Sequence, residues 1–552
     1  MNDPKRFLNG ALAAALLAFA ACVHAGTPSA EKLLPDDTLA LLTTPDFVKL
    51  GELSAKSPQA QLWNDPAMKP FKDKFLSKWN EELAQPLERE LDVKLADYAA
   101  LLRGQVTVAL TRNGWNGGDN EKPGFVLLVD TKDRSGQLKT NLTTLKKKWV
   151  DAGKTLKTET IRDVELTVLP LSSNDVPRTL RRFYSKSSPV EQLGDDKQPE
   201  QVVKKDELVI GQADSVLVVA NSVKAAEAVV VRLKGASMPC LAEFGPYQAN
   251  HLAMFRDAPA YGWVNMKGIM DVLLPAWSEK KENPEAPNPF DIRPEKILNA
   301  LGLAALKTVA FNFRQATEGG SFEIFLGVPE ANRQGLLKIL AGEPKEATPP
   351  PFVSADVLKF QRWRMDGKKA WATLEKSLGD ISTKAVNTLN FLLDSANTYA
   401  REKDPAFDIR KNLIGNLGDD IITLEKRRPS GAANASASAS GLVLLGSPNP
   451  QDFVAALKGI LVFMSQQAST PAAEREFLGR KIYSVPFMVP GRPADASAKT
   501  PALYYGASSG YVALATDAAM IEEFFRTCDS PPKALRDLAG FADAAQKVIW
   551  MP

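Results

Sequence analysis

Histidine and cysteine are nearly missing from this chain of 552 residues, which holds two histidines and three cysteines. His24 lies in the N-terminal signal segment, so His251 alone serves the rest of the chain. A histidine-rich zinc site is thereby excluded. A Ser-His-Asp triad has one residue to form on, and no G-x-S-x-G turn accompanies it. Cys240 and Cys528 are far apart in sequence, and two separate buried thiols are expected, with a disulfide as the alternative. Strong charge of one sign is also lacking. The formal charge of +3 falls to +2 once Asp3, Lys5 and Arg6 are removed, so the chain as a whole offers no electrostatic case for nucleic acid or acidic membranes. Beyond the N-terminus no run is long and apolar enough for a membrane helix, and 44% hydrophobic with 24% charged residues is an ordinary globular composition.

What is present begins with an export signal. Lys5 and Arg6 precede the apolar run ALAAALLAFA, and small residues follow. Two processing routes are open: cleavage after Ala25, leaving Gly26 first, or lipidation at Cys22, where Phe19 stands in the place usual for Leu in a lipoprotein box. Both predict an exported protein, periplasmic or extracellular; the second makes it an outer-membrane lipoprotein. The signal is residues 1–25.

The body repeats itself. A short strand, a polar turn and an amphipathic helix start at TLALLTTPDFVKLGEL (38), AYGWVNMKGIMDVLL (260) and KFQRWRMDGKKAWATLEKSL (359). Each start leads to a strand pair: QVTVAL with GFVLLVD, KTVAFNF with GSFEIFLGV, and DDIITLE with GLVLLGS. A helix follows each pair, as in Leu138, Leu142, Leu145 and Trp149 at helical spacing. Two copies continue through four more strands, with tight turns near Gln212-Ala213-Asp214 and Ser508-Ser509-Gly510, into a last helix. The middle copy stops at KEATPPPFVSAD, where three prolines make a linker. The pattern predicts an α+β fold of antiparallel hairpins with helices covering one face, in two or three packed lobes. Its expected divisions are a full unit at 26–258, a truncated one at 259–347 and a second full unit at 348–552. The insert at 429–441 and the polar stretch 171–201 read as loops, the latter as either a mobile segment or a binding appendage.

The sequence FDIRKNLIGNLGDDIITLE, then GLVLLGSPNPQDFVAAL, FLGRKIYSVP and GYVALATDAAMIEEFF, resembles an uncharacterised bacterial family of exported domains of unknown function. The resemblance implies an exported α+β repeat protein. Its motifs are structural turns, and it transfers no catalytic residue.

Among chemical candidates, Asp419 and Asp420 form a carboxylate pair for metal or acid/base work; placing copy three on copy one sets Gly104 opposite Asp419 and Gln105 opposite Asp420. An isolated pair lacks the multi-ligand spacing of a calcium loop, so a structural turn is expected. Trp363, Arg364, Lys368 and Trp371 lie near one strand-to-helix turn, and Trp115 lies in the glycine-rich loop NGWNGGDN. Arg and Trp anchor interfaces, although alternation along the strand predicts a core ring for Trp363 and solvated Arg362 and Arg364. His251 is expected on a helix between Leu241 and Phe255, as a hydrogen-bonded rather than catalytic residue.

These features favour an exported, non-catalytic scaffold or binding protein whose partner is an envelope protein or polysaccharide, with no cofactor, no nucleic acid and no integral segment in the mature chain. The rivals are a carboxylate-dependent, glycosidase-like hydrolase and a lipid-anchored carrier or chaperone.

Overall fold

The computed structural model describes residues 26–543 and 545, except 117–121, 172–205, 279–289, 291, 317–318, 342–344, 347, 403–404, 428–438, 467–472 and 487–501. Cys22 and Ala25 lie outside the described residues, as do most of the two long loops at 171–201 and 429–441. The chain divides into two compact units, Met1–Lys281 with Leu306–Val328, and Glu282–Ala305 with Pro329–Pro552. The expected middle unit 259–347 is shared between them: its strands belong to unit one and the helix after them to unit two.

Unit one is built on one antiparallel sheet. Its strands are β1 (Thr38–Thr44), β2 (Val106–Thr111), β3 (Gly124–Asp130), β4 (Lys157–Ile161), β5 (Val164–Leu171), β6 (Asp206–Ala213), β7 (Val216–Ala220), β8 (Ala260–Val264), β9 (Thr308–Ala316) and β10 (Gly319–Gly327). They are ordered β10-β9-β8-β1-β2-β3-β7-β6-β5-β4. Its principal helices are α1 (Ala30–Leu33), α2 (Phe47–Ala55), α3 (Pro58–Asn64), α4 (Lys69–Trp79), α5 (Ser135–Asp151), α6 (Val223–Leu233) and α7 (Met266–Ser278).

Unit two has β11 (Lys359–Arg364), β12 (Asp420–Arg427), β13 (Ala439–Gly446), β14 (Ala473–Phe477), β15 (Arg480–Pro486), β16 (Ala502–Ser508) and β17 (Tyr511–Ala515). Their order, β11-β12-β13-β17-β16-β15-β14, repeats the β1-β2-β3-β7-β6-β5-β4 run of unit one strand for strand. Its principal helices are α8 (Gly335–Leu340), α9 (Gly367–Ile381), α10 (Thr383–Arg401), α11 (Pro450–Gln466) and α12 (Ala518–Asp529).

The registers repeat as well. Val129 faces Leu217 where Leu445 faces Val512, and Leu166 faces Gly211 where Ile482 faces Gly506. Both second hairpins close on two residues, with Asp214 and then Ser509 at positive φ, 54° and 50°. In the three starts, Thr44 faces Val106, Val264 faces Val309 and Trp363 faces Ile421. β1 and β8 are equivalent by this measure, and they pair antiparallel with Leu42 opposite Gly262, so a local two-fold relates the first start to the middle one. Gly262 is needed there because a Cβ would lie 2.2 Å from the Phe311 ring.

Helices cover both faces of each sheet, not one. On β3, Val126 and Leu128 join Ala226, Val229 and Val230 of α6 in one core, while Leu127 and Val129 join Leu138 and Leu142 of α5 in another. In unit two, α12 packs through Ile521, Phe524 and Phe525 on Ile422 and Leu444, and α11 through Phe453 and Val454 on Val485 and Val512. The reason is in the strands: FVLLV and LVLL are apolar on successive residues, so neither face can be left to water. Each fully buried Leu or Val contributes about 1.5–3 kcal/mol.

Candidate functional site

The three starts close in one way. An N-cap side chain opens each helix: Asp46 accepts from Lys49 N at 3.0 Å, Asn265 from Gly268 N at 2.9 Å, and Asp366 from Lys369 N at 3.0 Å. The first or second helical amide then donates to a residue one or two positions before the next strand: Phe47 to Gly104 O, Lys267 to Lys307 O, and Gly367 to Gly418 O. That residue's amide donates across to the end of the following strand, at 2.8 Å in each case: Gly104 to Asp130 O, Lys307 to Gly327 O, and Gly418 to Gly446 O.

This network corrects the sequence placement of the carboxylate pair. Gly418, not Asp419, occupies the place of Gly104; Asp419 is one residue inserted before Asp420, which does match Gln105. Asp420 is buried, at 7% exposure, and its carboxylate accepts from Arg362 Nε at 2.9 Å, Arg362 Nη2 at 2.6 Å and the Tyr511 hydroxyl at 2.7 Å. Asp419 is half-exposed and accepts from Lys345 Nζ at 2.7 Å and Arg364 Nη2 at 3.1 Å. The Lys345 hydrogen bond, assisted by Arg364, holds the Asp419 carboxyl below its usual range. Burial, followed by the bond to Asp420, pushes the Tyr511 phenol up to about 12. Arg362 also donates to Thr348 O, and Arg364 to Glu346 O at 3.0 Å.

Unit one keeps a carboxylate on the same rung but supplies it from the other strand. Asp130, matching Gly446, accepts from Ser215 Oγ at 2.8 Å and Lys132 N at 2.9 Å. Each arrangement needs its glycine: a Cβ on Gly104 would sit 2.6 Å from Asp130 Oδ2, and one on Gly446 would sit 3.0 Å from Asp420 Cβ. Chemically, the unit-two pair cross-braces β11 to β12. A general acid or base needs a carboxyl able to exchange a proton near neutral pH, and Asp419 is shifted the opposite way. Among the described residues no three His, Cys, Asp or Glu side chains gather to hold a metal ion.

The other candidates are placed as follows. Trp363 is 52% exposed, whereas the Arg362 and Arg364 side chains are 12% and 22% exposed. This reverses the expected core tryptophan and solvated arginines, because the face that carries Phe360, Arg362 and Arg364 pairs with Leu424, Ile422 and Asp420 over the α12 core. Lys368 and Asp419 line one open depression, with Gly446, Ser447 and Tyr511. Trp371 turns away to pack with Leu393, Phe407 and Ile409. Trp115 is half-buried in the β2–β3 loop of unit one, where its carbonyl accepts from Arg112 Nε. His251 opens a turn of π-helix, His251–Phe255, with its Nε2 3.8 Å from Glu31 Oε1; Tyr261 donates to Glu31 Oε2 at 3.3 Å. Burial pushes the phenols of Tyr247 and Tyr261 up, so both stay protonated. Cys240 and Cys528 are free thiols, one in each unit.

Sequence reading missed Lys345, Tyr511 and Glu31 as partners. None carried a local signal: Lys345, for one, lies 74 positions from Asp419 in the chain. Fold and site together define a duplicated α+β protein, with sheets covered on both faces and a polar rung that recurs in altered form. No protein family, curated protein or solved structure matches the chain.

Acid should weaken unit two. The Lys458 and Lys481 ammoniums hold the Glu474 carboxyl down at about 2, and Arg480 lowers Asp529 as Lys345 lowers Asp419. Folded values below unfolded ones contribute stability that is fully present above about pH 4.5 and lost as pH falls through the folded values. Thermal melts should therefore shift to lower temperature from about pH 4.5 to about pH 2. A midpoint that stays flat over that range would show these ion pairs do not form in solution.

Proposed function

We propose that the chain is an exported, non-catalytic binding or scaffold protein of the bacterial envelope, of the uncharacterised family of exported α+β repeat domains that its sequence resembles. Its partner is an envelope protein or polysaccharide, and it acts in the periplasm or outside the cell, or is held at the outer membrane through Cys22. The supporting observation is the use made of the carboxylate rung: both aspartates of NLIGNLGDDI are committed to arginine, lysine and tyrosine donors that join strands. The exposed Trp363 ring is a fitting contact surface.

Two measurements test this. Purified protein incubated with chromogenic glycosides and esters is expected to show no turnover that Asp419→Asn or Asp420→Asn alters. A photoreactive side chain at position 363 is expected to crosslink to a discrete envelope component in cells. A hydrolytic rate abolished by Asp419→Asn at unchanged melting temperature would overturn the non-catalytic reading.

A further inference from the structure

The third start leaves open what the first two close. β1 and β8 pair with each other, whereas β11 is the last strand of its sheet and, among the described residues, pairs only with β12. Thr44, Val264 and Trp363 hold equivalent places against Val106, Val309 and Ile421, so Leu42, Gly262 and Gln361, two residues earlier, are equivalent as well. Leu42 faces Gly262. The local two-fold of unit one therefore passes through a rung whose two residues are each other's counterpart. Unit two has one such residue, Gln361, and no second start to face it.

The unit-one pair also sets the hydrogen bonding. Asn265 N donates to Leu39 O at 2.8 Å, so by alternation Leu41–Trp263 is a hydrogen-bonded rung and Leu42–Gly262 is not. At the equivalent places, Phe360 and Arg362 turn their main-chain groups toward the open edge of β11. The approach to the strand leaves that edge clear: Ser354 bridges Ala534 before β11 as Pro35 bridges Cys240 before β1, and β1 is paired on that side. Charges guard the far edge of the sheet instead, where Glu474, Arg475 and Glu476 of β14 are exposed in a row.

We propose that β11 is a dimerisation edge, pairing antiparallel with β11 of a second molecule about a two-fold axis through Gln361. The rungs are then Gln361 with Gln361, Phe360 with Arg362, and Lys359 with Trp363, and no like charges meet. Thr423 Oγ1 donates to Gln361 Oε1 at 3.2 Å, and the amide Nε2 donates across the axis. Lys359 comes over the Trp363 ring of the second molecule, a cation–π pairing. Arg362 and Arg364 lie on the other face of the strand, held by Asp420 and Asp419. The inference goes beyond the contact surface proposed above and does not rest on it, because strand pairing uses main-chain groups and leaves the Trp363 ring on the face of the sheet.

A single strand pairing is a small interface, so association is expected at micromolar rather than nanomolar concentration. Sedimentation of the chain from Gly26 onward should show monomer and dimer exchanging with concentration. In a Cys240→Ser/Cys528→Ser background, Gln361→Cys should oxidise to a covalent dimer, since Cα atoms facing each other in such a rung lie about 4.5 Å apart, within disulfide reach. Lys359→Cys alone and Trp363→Cys alone should not, but an equal mixture of the two should. Gln361→Glu sets carboxylates face to face and should weaken the dimer severalfold, and mixing it with Gln361→Lys should restore association. A chain that stays monomeric throughout the micromolar range overturns the proposal. So does a dimer in which Gln361→Cys fails to crosslink, or in which Trp363→Cys crosslinks with itself as readily.

Discussion

Arg362→Ala is expected to destabilise unit two by about 3–5 kcal/mol, the usual cost of leaving a buried charge without its partner. The side chain it removes makes three hydrogen bonds to Asp420, which is 7% exposed and keeps Tyr511 as its hydrogen-bond donor, with Arg364 Nε farther off at 3.9 Å. Domains are stable by about 5–15 kcal/mol, so this is a large fraction of the total. The cost arises from uncompensated desolvation of Asp420 more than from the worth of the pair. Replacing both partners by apolar side chains, Arg362→Met with Asp420→Leu, should therefore recover most of the loss. Asp419→Asn, whose side chain is 42% exposed, should cost no more than about 1 kcal/mol. Urea unfolding followed by circular dichroism would read these as shifts of the unit-two transition. Equal losses for Arg362→Ala and Asp419→Asn would refute the ranking, and a double variant as weak as the single one would refute its cause.

That ranking could not be reached from sequence, and the reason is local. The order of the strands was legible because FVLLVD and GLVLLGS carry similar apolar runs between turns, and the structure sets those runs in the same place in both sheets. The α+β class followed from the same alternation. Coverage on both faces was implicit in those runs, but hairpin patterns by themselves suggest one dry face and one wet face. The site was harder. Trp363 and its flanking arginines obey strict alternation, yet alternation does not say which side meets the core; Asp420, 57 positions later in the chain but adjacent on the sheet, turns the arginines inward. The insertion of Asp419 was invisible because Leu417, Gly418 and Asp419 align as readily with Leu102, Arg103 and Gly104 as with the register the hydrogen bonds select. The open edge of β11 escaped notice for another reason: the three starts read alike in sequence, and only the order of the sheets shows that the third lacks the partner the first two find in each other.

Gly418→Ala should also destabilise unit two by several kcal/mol, about 3 or more, through space rather than backbone conformation. Gly418 does not have positive φ, so alanine can adopt its geometry. Its Cβ, however, would lie 2.5 Å from Gly446 O and 2.7 Å from Gly446 C, backbone atoms held in place by the Gly418 N–H bond to that same carbonyl. Relief requires opening β12 from β13 at its first rung. Overpacking of this kind costs about 1–3 kcal/mol, and the two main-chain hydrogen bonds through Gly418 add about 1 kcal/mol each. Gly415→Ala, three residues earlier, is the control: its nearest contact is Arg410 O at 3.6 Å, and its effect should stay within about 0.5 kcal/mol. The equivalent position in unit one differs in kind. A Cβ on Gly104 meets the Asp130 side chain, so Gly104→Ala should be less damaging in an Asp130→Ala background than in the parent, a non-additivity expected of residues in contact. Unit two offers no such rescue, because the obstacle at Gly418 is main chain. If Gly418→Ala and Gly415→Ala melt alike, the hydrogen-bonded closure shared by the three starts is not what fixes the entry into β12.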